Sequence, residues 1–187
     1  MTERVALDLD STLAASQNVA FDLLEGPDHD MSYDDIESWN WGPEKYGTET
    51  FLSSIWHCWT IRGDEIEPME PRLSSSVTTL MSRDYEVDVV TQHPDHVGIT
   101  KAKRRWLRDQ NIPYGELVVV PMGESKIEMD YDIYIDDKPG MMPEMESEDS
   151  ELFLIDHSYN EDIDVKLKEN ISRVPTVQRA IFEMGIQ

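Results

Sequence analysis

The chain has 187 residues, but only one cysteine and no long hydrophobic run. A lone thiol, Cys58, excludes an internal disulfide framework and any multi-cysteine zinc site, so we expect it to be a buried apolar residue. No apolar run approaches the roughly 18 residues of a membrane span, and the first residues lack a basic region followed by a hydrophobic stretch. These absences predict a cytoplasmic protein with no membrane partner.

Positive charge is also scarce. The chain has 16 Lys and Arg against 39 Asp and Glu, a formal net charge of −23. Such a field repels phosphate backbones, which argues against duplex nucleic acid as a partner. The same excess of acid is typical of halophilic proteins, whose self-repulsion is screened by molar salt; a highly solvated surface is the alternative. Hydrophobic residues still make up 39% of the chain, enough for the core of one domain.

Two phosphate-binding signatures are missing. The sequence has no G-x-x-x-x-G-K-[ST] run and no G-x-G, so neither a Walker NTPase nor a dinucleotide-binding fingerprint is supported. The run Asp8-x-Asp10-x-Thr12 begins like an EF-hand calcium loop. However, Leu13 stands where that loop needs glycine and Val19 where it needs a bidentate glutamate. These three classes of site are therefore set aside.

Short apolar runs rich in β-branched and aromatic residues alternate with helical patterns. The first run begins at Arg4, and four more are predicted as strands at 85–91, 116–120, 131–135 and 152–155. Helical spacing of apolar residues marks 71–83 and 94–111, and the tail 162–187 is predicted to form one or two further helices. This alternation predicts an α/β fold: a Rossmann-like, doubly wound parallel sheet of about five strands, covered on both faces.

The connection between the first two predicted strands is too long for a simple crossover. It holds four of the five tryptophans, Trp39, Trp41, Trp56 and Trp59. We predict that residues 14–75 form a small helical cap and that residues 1–13 and 76–187 form the core. The tryptophans either stack on a substrate or build the cap's own small core.

Polar residues stand where three predicted strands end. Asp8 and Asp10 follow the first strand, Thr91 ends the second, and Asp136 with Asp137 ends the fourth. In doubly wound sheets the ligand site lies outside the carboxyl ends of the strands. Two carboxylates at i and i+2 of a strand point to the same side and repel one another unless a cation or proton lies between them. This edge is the predicted functional site.

Four ordered motifs strengthen this prediction: LDLDSTL at 7–13, VVT at 89–91, Lys126, and YIDDKP at 134–139. On these motifs the chain resembles the haloacid dehalogenase superfamily of aspartate-nucleophile phosphotransferases. Within it, the chain is most similar to the 5′(3′)-deoxyribonucleotidase group. This likeness rests on the short helical cap, the V-x-V-V-T strand, the following K-x-x-W-L helix and the I-D-D-[KR]-P motif. The sequence departs from that group at Ser11-Thr12, where Gly-Val is common, and at Gln92-His93, where small or basic residues are usual.

The resemblance implies a phosphomonoester hydrolase. Asp8 would attack phosphorus and form a phosphoaspartate, and Asp10 would protonate the departing oxygen and then activate water. Thr91 and Lys126 would bind the phosphoryl group, although Lys101 and Lys103 compete for the role of the lysine.

The resemblance also implies Mg²⁺ as the cofactor, held by Asp8, the Asp10 carbonyl oxygen, and Asp136 or Asp137. The expected partner is a small phosphorylated substrate, most simply a (deoxy)nucleoside monophosphate, bound by a monomer or homodimer. Two alternatives stay open: a phosphatase of a sugar phosphate or phosphoglycolate, and a non-catalytic relative that only binds phosphorylated ligands. The residues predicted to contact substrate are Thr12, Gln92, Trp39, Trp41, Trp56 and Trp59.

Overall fold

A computed structural model describes residues 2–94, 96–145, 149–165 and 169–186. These residues form one six-stranded sheet in the order β3-β2-β1-β4-β5-β6, and every neighbouring pair is parallel. The strands are β1 Arg4–Leu7, β2 Glu86–Gln92, β3 Leu117–Val120, β4 Ile133–Asp136, β5 Glu151–Ile155 and β6 Ile171–Val174. The predicted α/β class and the five predicted strands are confirmed.

The sheet is covered on both faces, with one hydrophobic core on each side. Successive side chains of a strand point to opposite faces. In β1, Val5 and Leu7 accordingly belong to one hydrophobic core, whereas Ala6 belongs to a second core on the other face. All three residues are buried. This burial explains why β1 reads as an uninterrupted apolar run.

The sixth strand was not predicted. Its sequence, Ile-Ser-Arg-Val at 171–174, has only two apolar residues, and they lie at its ends. Such a short segment with polar residues in the middle has no strand signature of its own. It becomes a strand because it pairs with β5 at the edge of the sheet. The helix expected in the same tail is present after it, whereas 166–168 and 187 lie outside the described residues.

Seven α-helices are described in these ranges: α1 Ser16–Glu25, α2 Trp41–Tyr46, α3 Thr48–Ile61, α4 Leu73–Met81, α5 Val97–Asp109, α6 Met141–Glu144 and α7 Val177–Glu183. α4 and α5 correspond to the two helices predicted from periodicity. α4 packs against β2 and α7, so it is part of the layer that covers the sheet. No helix in the described part of the chain is both long and apolar enough to cross a membrane.

The segment between the end of β1 and α4, residues 14–72, is called the insert below. Its three helices contact one another, α1 and α2 both packing on α3, and α3 also packs on α5 beside the sheet. The chain enters and leaves the insert side by side, because Ala14 pairs with Pro68 and the Ala15 N–H donates to the Glu67 carbonyl oxygen. α4 begins at Leu73, just inside the 14–75 range predicted for the cap.

Candidate active site

The order of the strands brings the predicted site residues together. β1 lies between β2 and β4, so the carboxyl end of β1 is flanked by Thr91 on one side and Asp136 on the other. Asp8, Thr91, Asp136 and Asp137 are all buried. The side chains named from three separate strand ends therefore share one edge of the sheet, as expected for a doubly wound fold.

Three of these carboxylates form a compact cluster. Asp8, Asp136 and Asp137 each offer an oxygen atom, and the three atoms lie within 4.8 Å of one another. Burial and the neighbouring carboxylates raise the pKa of Asp8 well above its ordinary value, although Lys126 opposes this. Burial and Asp136 likewise raise the pKa of Asp137 to about 7. An all-oxygen donor set that is costly to ionise without a cation fits a hard ion such as Mg²⁺.

Lys126 bridges two members of this cluster. Its Nζ atom lies 2.5 Å from Asp8 Oδ1 and 2.6 Å from Asp136 Oδ2. The lysine comes from the segment after β3 and immediately precedes a 3₁₀ helix at Ile127–Met129, whose first carbonyl oxygen accepts a hydrogen bond from the Tyr134 hydroxyl. Burial lowers the pKa of the ammonium group, but Asp136 and Asp8 more than compensate, so the pKa is raised. Lys126 is therefore a cation fixed beside Asp8.

The two competing lysines lie elsewhere. Lys101 is exposed on α5. Lys103, on the same helix, is fully buried, and its Nζ atom lies 2.5 Å from Asp10 Oδ2 and 2.8 Å from Thr91 Oγ1. The structure thus gives each of the first two aspartates its own lysine: Asp8 contacts Lys126 and Asp10 contacts Lys103. From the sequence, Lys103 was considered only as an alternative to Lys126 and not as a partner of Asp10.

Asp10 is not a member of the carboxylate cluster, and its carboxylate accepts hydrogen bonds from four donors. Oδ1 accepts hydrogen bonds from Ser16 Oγ at 2.7 Å and Trp59 Nε1 at 2.8 Å. Oδ2 accepts from Lys103 and, at 3.4 Å, from Thr91 Oγ1. Burial alone would raise the pKa of Asp10, but the charge of Lys103 and the hydrogen bonds from Lys103, Ser16 and Trp59 outweigh it, and the pKa is lowered.

Thr12 and Gln92, predicted to contact substrate, are engaged by protein groups. Thr12 Oγ1 donates to Asp137 Oδ1 at 3.3 Å. Gln92 Nε2 donates to the carbonyl oxygens of Pro121 and Glu124, and its Oε1 accepts from Lys138 Nζ at 2.9 Å. Thr12 thus contacts the carboxylate cluster, and Gln92, the last residue of β2, connects that strand to the segments that follow β3 and β4.

The four tryptophans of the insert have different surroundings. Trp59 is fully buried against Asp10, and Trp41 packs edge-on against Phe21. Trp56 is half-buried, and its Nε1 donates to His96 Nδ1 at 3.3 Å. Trp39 is 47% exposed. Trp59 therefore belongs to the buried part of the insert, whereas Trp39 lies at its surface.

A stack of aromatic rings borders the cluster, and the sequence did not point to it. His157 lies between Tyr33 and Tyr159, with ring centroids 5.2 Å and 5.0 Å apart, and the exposed Trp39 meets Tyr159 edge-on. The Tyr159 hydroxyl donates to Asp137. Tyr33 comes from the insert, whereas His157 and Tyr159 come from the segment after β5. The feature of the sequence that could have indicated these rings is the group of polar residues after the carboxyl end of β5.

His157 also supports the chain at an unusual backbone conformation. Ser11 has φ of 64°, in the left-handed region where glycine is favoured. Its carbonyl oxygen lies 2.8 Å from His157 Nε2, and because a carbonyl can only accept, that nitrogen carries the proton. Burial lowers the pKa of His157, which favours this neutral form. The serine that replaces the glycine common in the resembled group is thus held by a hydrogen bond across the site.

A family of known proteins matches most of the chain. The family described as "5' nucleotidase, deoxy (Pyrimidine), cytosolic type C protein" matches residues 3–175. No curated protein gives a significant match.

Solved structures share the fold at low sequence identity. A D,D-heptose 1,7-bisphosphate phosphatase from Burkholderia thailandensis superposes with a TM-score of 0.58 at 10% identity, covering 99% of each chain. A putative haloacid dehalogenase-like hydrolase from Burkholderia xenovorans gives a TM-score of 0.57 at 10% identity, covering 97% of this chain and 96% of that one. A hydrolase from Pseudomonas syringae gives 0.56 at 14% identity, with 99% and 98% covered.

Proposed function

The chain belongs to the cytosolic type C 5′-nucleotidase family of haloacid dehalogenase-type phosphatases, and we propose that it hydrolyses nucleoside monophosphates with Mg²⁺ through an aspartyl-phosphate intermediate. The observation that carries the proposal is the buried cluster of Asp8, Asp136 and Asp137 with Lys126 in contact with two of them. A nucleophile, a hard-cation site and a fixed positive charge thereby meet at one point, and this is the equipment that phosphoryl transfer requires.

Asp8 is the proposed nucleophile. One of its carboxylate oxygens attacks phosphorus, the bond from phosphorus to the ester oxygen breaks, and a phosphoaspartate forms. Water then attacks the same phosphorus and releases inorganic phosphate and free Asp8. Lys126, already 2.5 Å from Asp8 Oδ1, offsets the negative charge that the carboxylate and the phosphoryl oxygens bring together.

Asp10 is the proposed proton donor and acceptor. It gives a proton to the departing alcohol oxygen in the first half-reaction and takes one from the attacking water in the second. Thr91, whose hydroxyl contacts both Asp10 and Lys103 at the same edge of the sheet, would donate a hydrogen bond to a phosphoryl oxygen.

Mg²⁺ fits the carboxylate cluster. Lys126 supplies one positive charge to three buried carboxylates, and their oxygens are the ligands that Mg²⁺ prefers. Asp8, Asp136 or Asp137, and the carbonyl oxygen of Asp10 would hold the ion. When bound, it would neutralise charge between the nucleophile and an anionic ester and orient the phosphoryl group.

The nucleoside part of the substrate is proposed from the family match and from Trp39. This ring is exposed, and it lies against Tyr159, whose hydroxyl contacts Asp137 in the cluster. A base stacked on an aromatic ring gains on the order of 1 to 3 kcal/mol. Trp39 would therefore act as a base platform one aromatic ring away from the carboxylate cluster.

The proposal is tested by assaying p-nitrophenyl phosphate, ribo- and deoxyribonucleoside monophosphates and a set of sugar phosphates with MgCl₂ or EDTA, at low and molar salt. We expect Mg²⁺-dependent hydrolysis that Asp8→Asn abolishes. Asp156→Asn, which removes a carboxylate paired with Arg173 after β5, is the matched control and should retain activity. Absence of turnover at every salt concentration would contradict the enzymatic function, and a preference for sugar phosphates would contradict the substrate.

A further inference from the structure

The Asp10 carboxylate is held from two parts of the molecule. Its Oδ2 atom contacts Lys103 on α5 and Thr91 on β2, both of which flank the sheet or belong to it. Its Oδ1 atom contacts Ser16, the first residue of α1, and Trp59 on α3, both of which belong to the insert. An insert displaced from the sheet would therefore take two of the four donors with it.

Trp59 is the less adaptable of the two donors from the insert. A hydroxyl such as that of Ser16 can donate or accept, whereas an indole N–H can only donate. Trp59 is also fully buried, and its ring lies edge-on to Trp106 with centroids 6.0 Å apart. The Nζ atom of Lys103 lies 5.1 Å from the centre of the Trp59 ring, so the donors on the two carboxylate oxygens also contact each other. The indole therefore fixes the direction of the carboxyl group.

Orientation of this carboxyl group matters most when the leaving group is poor. Cleavage of the ester bond leaves an electron pair on the departing oxygen, and the Asp10 carboxyl supplies the proton for it. A stable anion such as p-nitrophenolate departs without that proton, whereas phenol and benzyl alcohol depart with it, as neutral molecules.

We propose that Trp59 is a positioning residue through which the insert orients Asp10 for proton transfer to the leaving group. The inference rests on the proposed phosphatase function, but not on the identity of the nucleoside. It gives Trp59 a different role from base stacking, because a fully buried ring whose N–H is engaged by Asp10 has no face open to a substrate.

The test compares esters of similar size that differ in the leaving group: p-nitrophenyl, phenyl and benzyl phosphate. The variants are Trp59→Phe, which keeps a ring beside Lys103 but removes the N–H, and Ser16→Ala, a smaller change at the same oxygen. Trp106→Phe is the matched control, since this buried tryptophan donates its N–H to the Ile66 carbonyl oxygen instead of Asp10. The constant to measure is kcat/KM, because it reports the step in which the ester bond breaks.

We expect Trp59→Phe to lower kcat/KM for phenyl and benzyl phosphate about tenfold, because an Asp10 carboxyl that is no longer held in one direction loses part of the rate advantage of a positioned acid. For p-nitrophenyl phosphate we expect a change within about twofold of wild type. Ser16→Ala should show the same pattern more weakly, and Asp10→Asn the same pattern more strongly. Trp106→Phe should change kcat/KM by the same factor for all three esters.

Two outcomes would overturn the inference, and a third would overturn its premise. An equal loss on all three esters in Trp59→Phe would mean that the tryptophan supports the fold or phosphate binding instead of proton transfer. If Trp59→Phe does not fold, an equal loss on all three esters in Ser16→Ala decides the matter in the same way. A wild-type protein that hydrolyses none of the esters would instead contradict the proposed phosphatase function itself.

Discussion

The Nζ atom of Lys126 lies 2.5 Å from Oδ1 of Asp8, although 118 positions separate the two residues in the sequence. Both groups are buried, and Asp136 shares the same ammonium at 2.6 Å. A buried charge that loses its partner is strongly destabilising, so this contact bears on stability as well as on the proposed phosphate binding.

Replacing this lysine tests both roles. We expect Lys126→Met to lower kcat/KM for a phosphomonoester at least about a hundredfold, because an electrostatic contact of this kind is typically worth that much. In Mg²⁺-free buffer we also expect a lower melting temperature, since the cluster loses its positive charge. Lys101→Met, on the exposed face of α5, is the control and should match wild type in both measurements. Unchanged kinetics in Lys126→Met would contradict the assignment.

The carboxylate cluster predicts a pH dependence of stability. The pKa of Asp137 is raised to about 7, and that of Asp8 is also raised. Asp residues titrate near pH 4 in an unfolded chain, so the folded protein keeps protons that the unfolded chain has already lost. The stability contributed by protonated Asp137 is complete below about pH 4 and is lost as pH rises to about 7, and protonated Asp8 contributes in the same direction.

Mg²⁺ should reverse this loss, because it competes with protons for the same oxygens. We expect the rise in melting temperature on adding MgCl₂ to be larger at pH 8 than at pH 5.5, as measured by differential scanning fluorimetry. Asp137→Asn should weaken the pH dependence of the metal-free protein. A rise in melting temperature from Mg²⁺ that is independent of pH, or greater at pH 5.5, would be inconsistent with this cluster as the metal site.

Trp39 and Trp41 should respond differently to substitution. Trp39→Ala removes the exposed ring next to Tyr159, and we expect it to raise KM for nucleoside monophosphates about tenfold while leaving phenyl phosphate hydrolysis unchanged. Trp41→Ala removes a ring packed edge-on against Phe21 and Phe51, so we expect it chiefly to lower the melting temperature. An unchanged nucleotide KM in Trp39→Ala would remove this ring from the proposed base platform.

The net charge of −23 predicts a dependence on salt. If the surface is adapted to high salt, transfer from about 2 M KCl to dilute buffer should lengthen the Debye length several-fold and let self-repulsion unfold the chain. Far-ultraviolet circular dichroism during stepwise desalting measures this. An equimolar series of sucrose separates screening from general solute effects. Equal stability in dilute buffer and in KCl would leave only the interpretation as a well-solvated surface.

The sequence predicted the sheet and its polar edge because both depend on local patterns. Apolar runs such as that of β1 identify buried strands wherever they occur. Parallel strands also bring their carboxyl ends to one edge, so Asp8, Thr91 and Asp136 could be expected to meet before any contact was known. β6 escaped prediction because its pairing with β5, and not its composition, makes it a strand.

The sequence by itself therefore determined the α/β class, the edge of the candidate site and the carboxylates that meet there. Tertiary structure alone decided which lysine contacts which aspartate and that Trp59 contacts Asp10. The reason is geometric. Parallel strands place their carboxyl ends at one edge, and the sequence pattern predicts which residues lie there. Contacts such as Lys103 with Asp10 depend instead on how α5 and the insert pack on the sheet. Spacing along the chain carries no record of that packing.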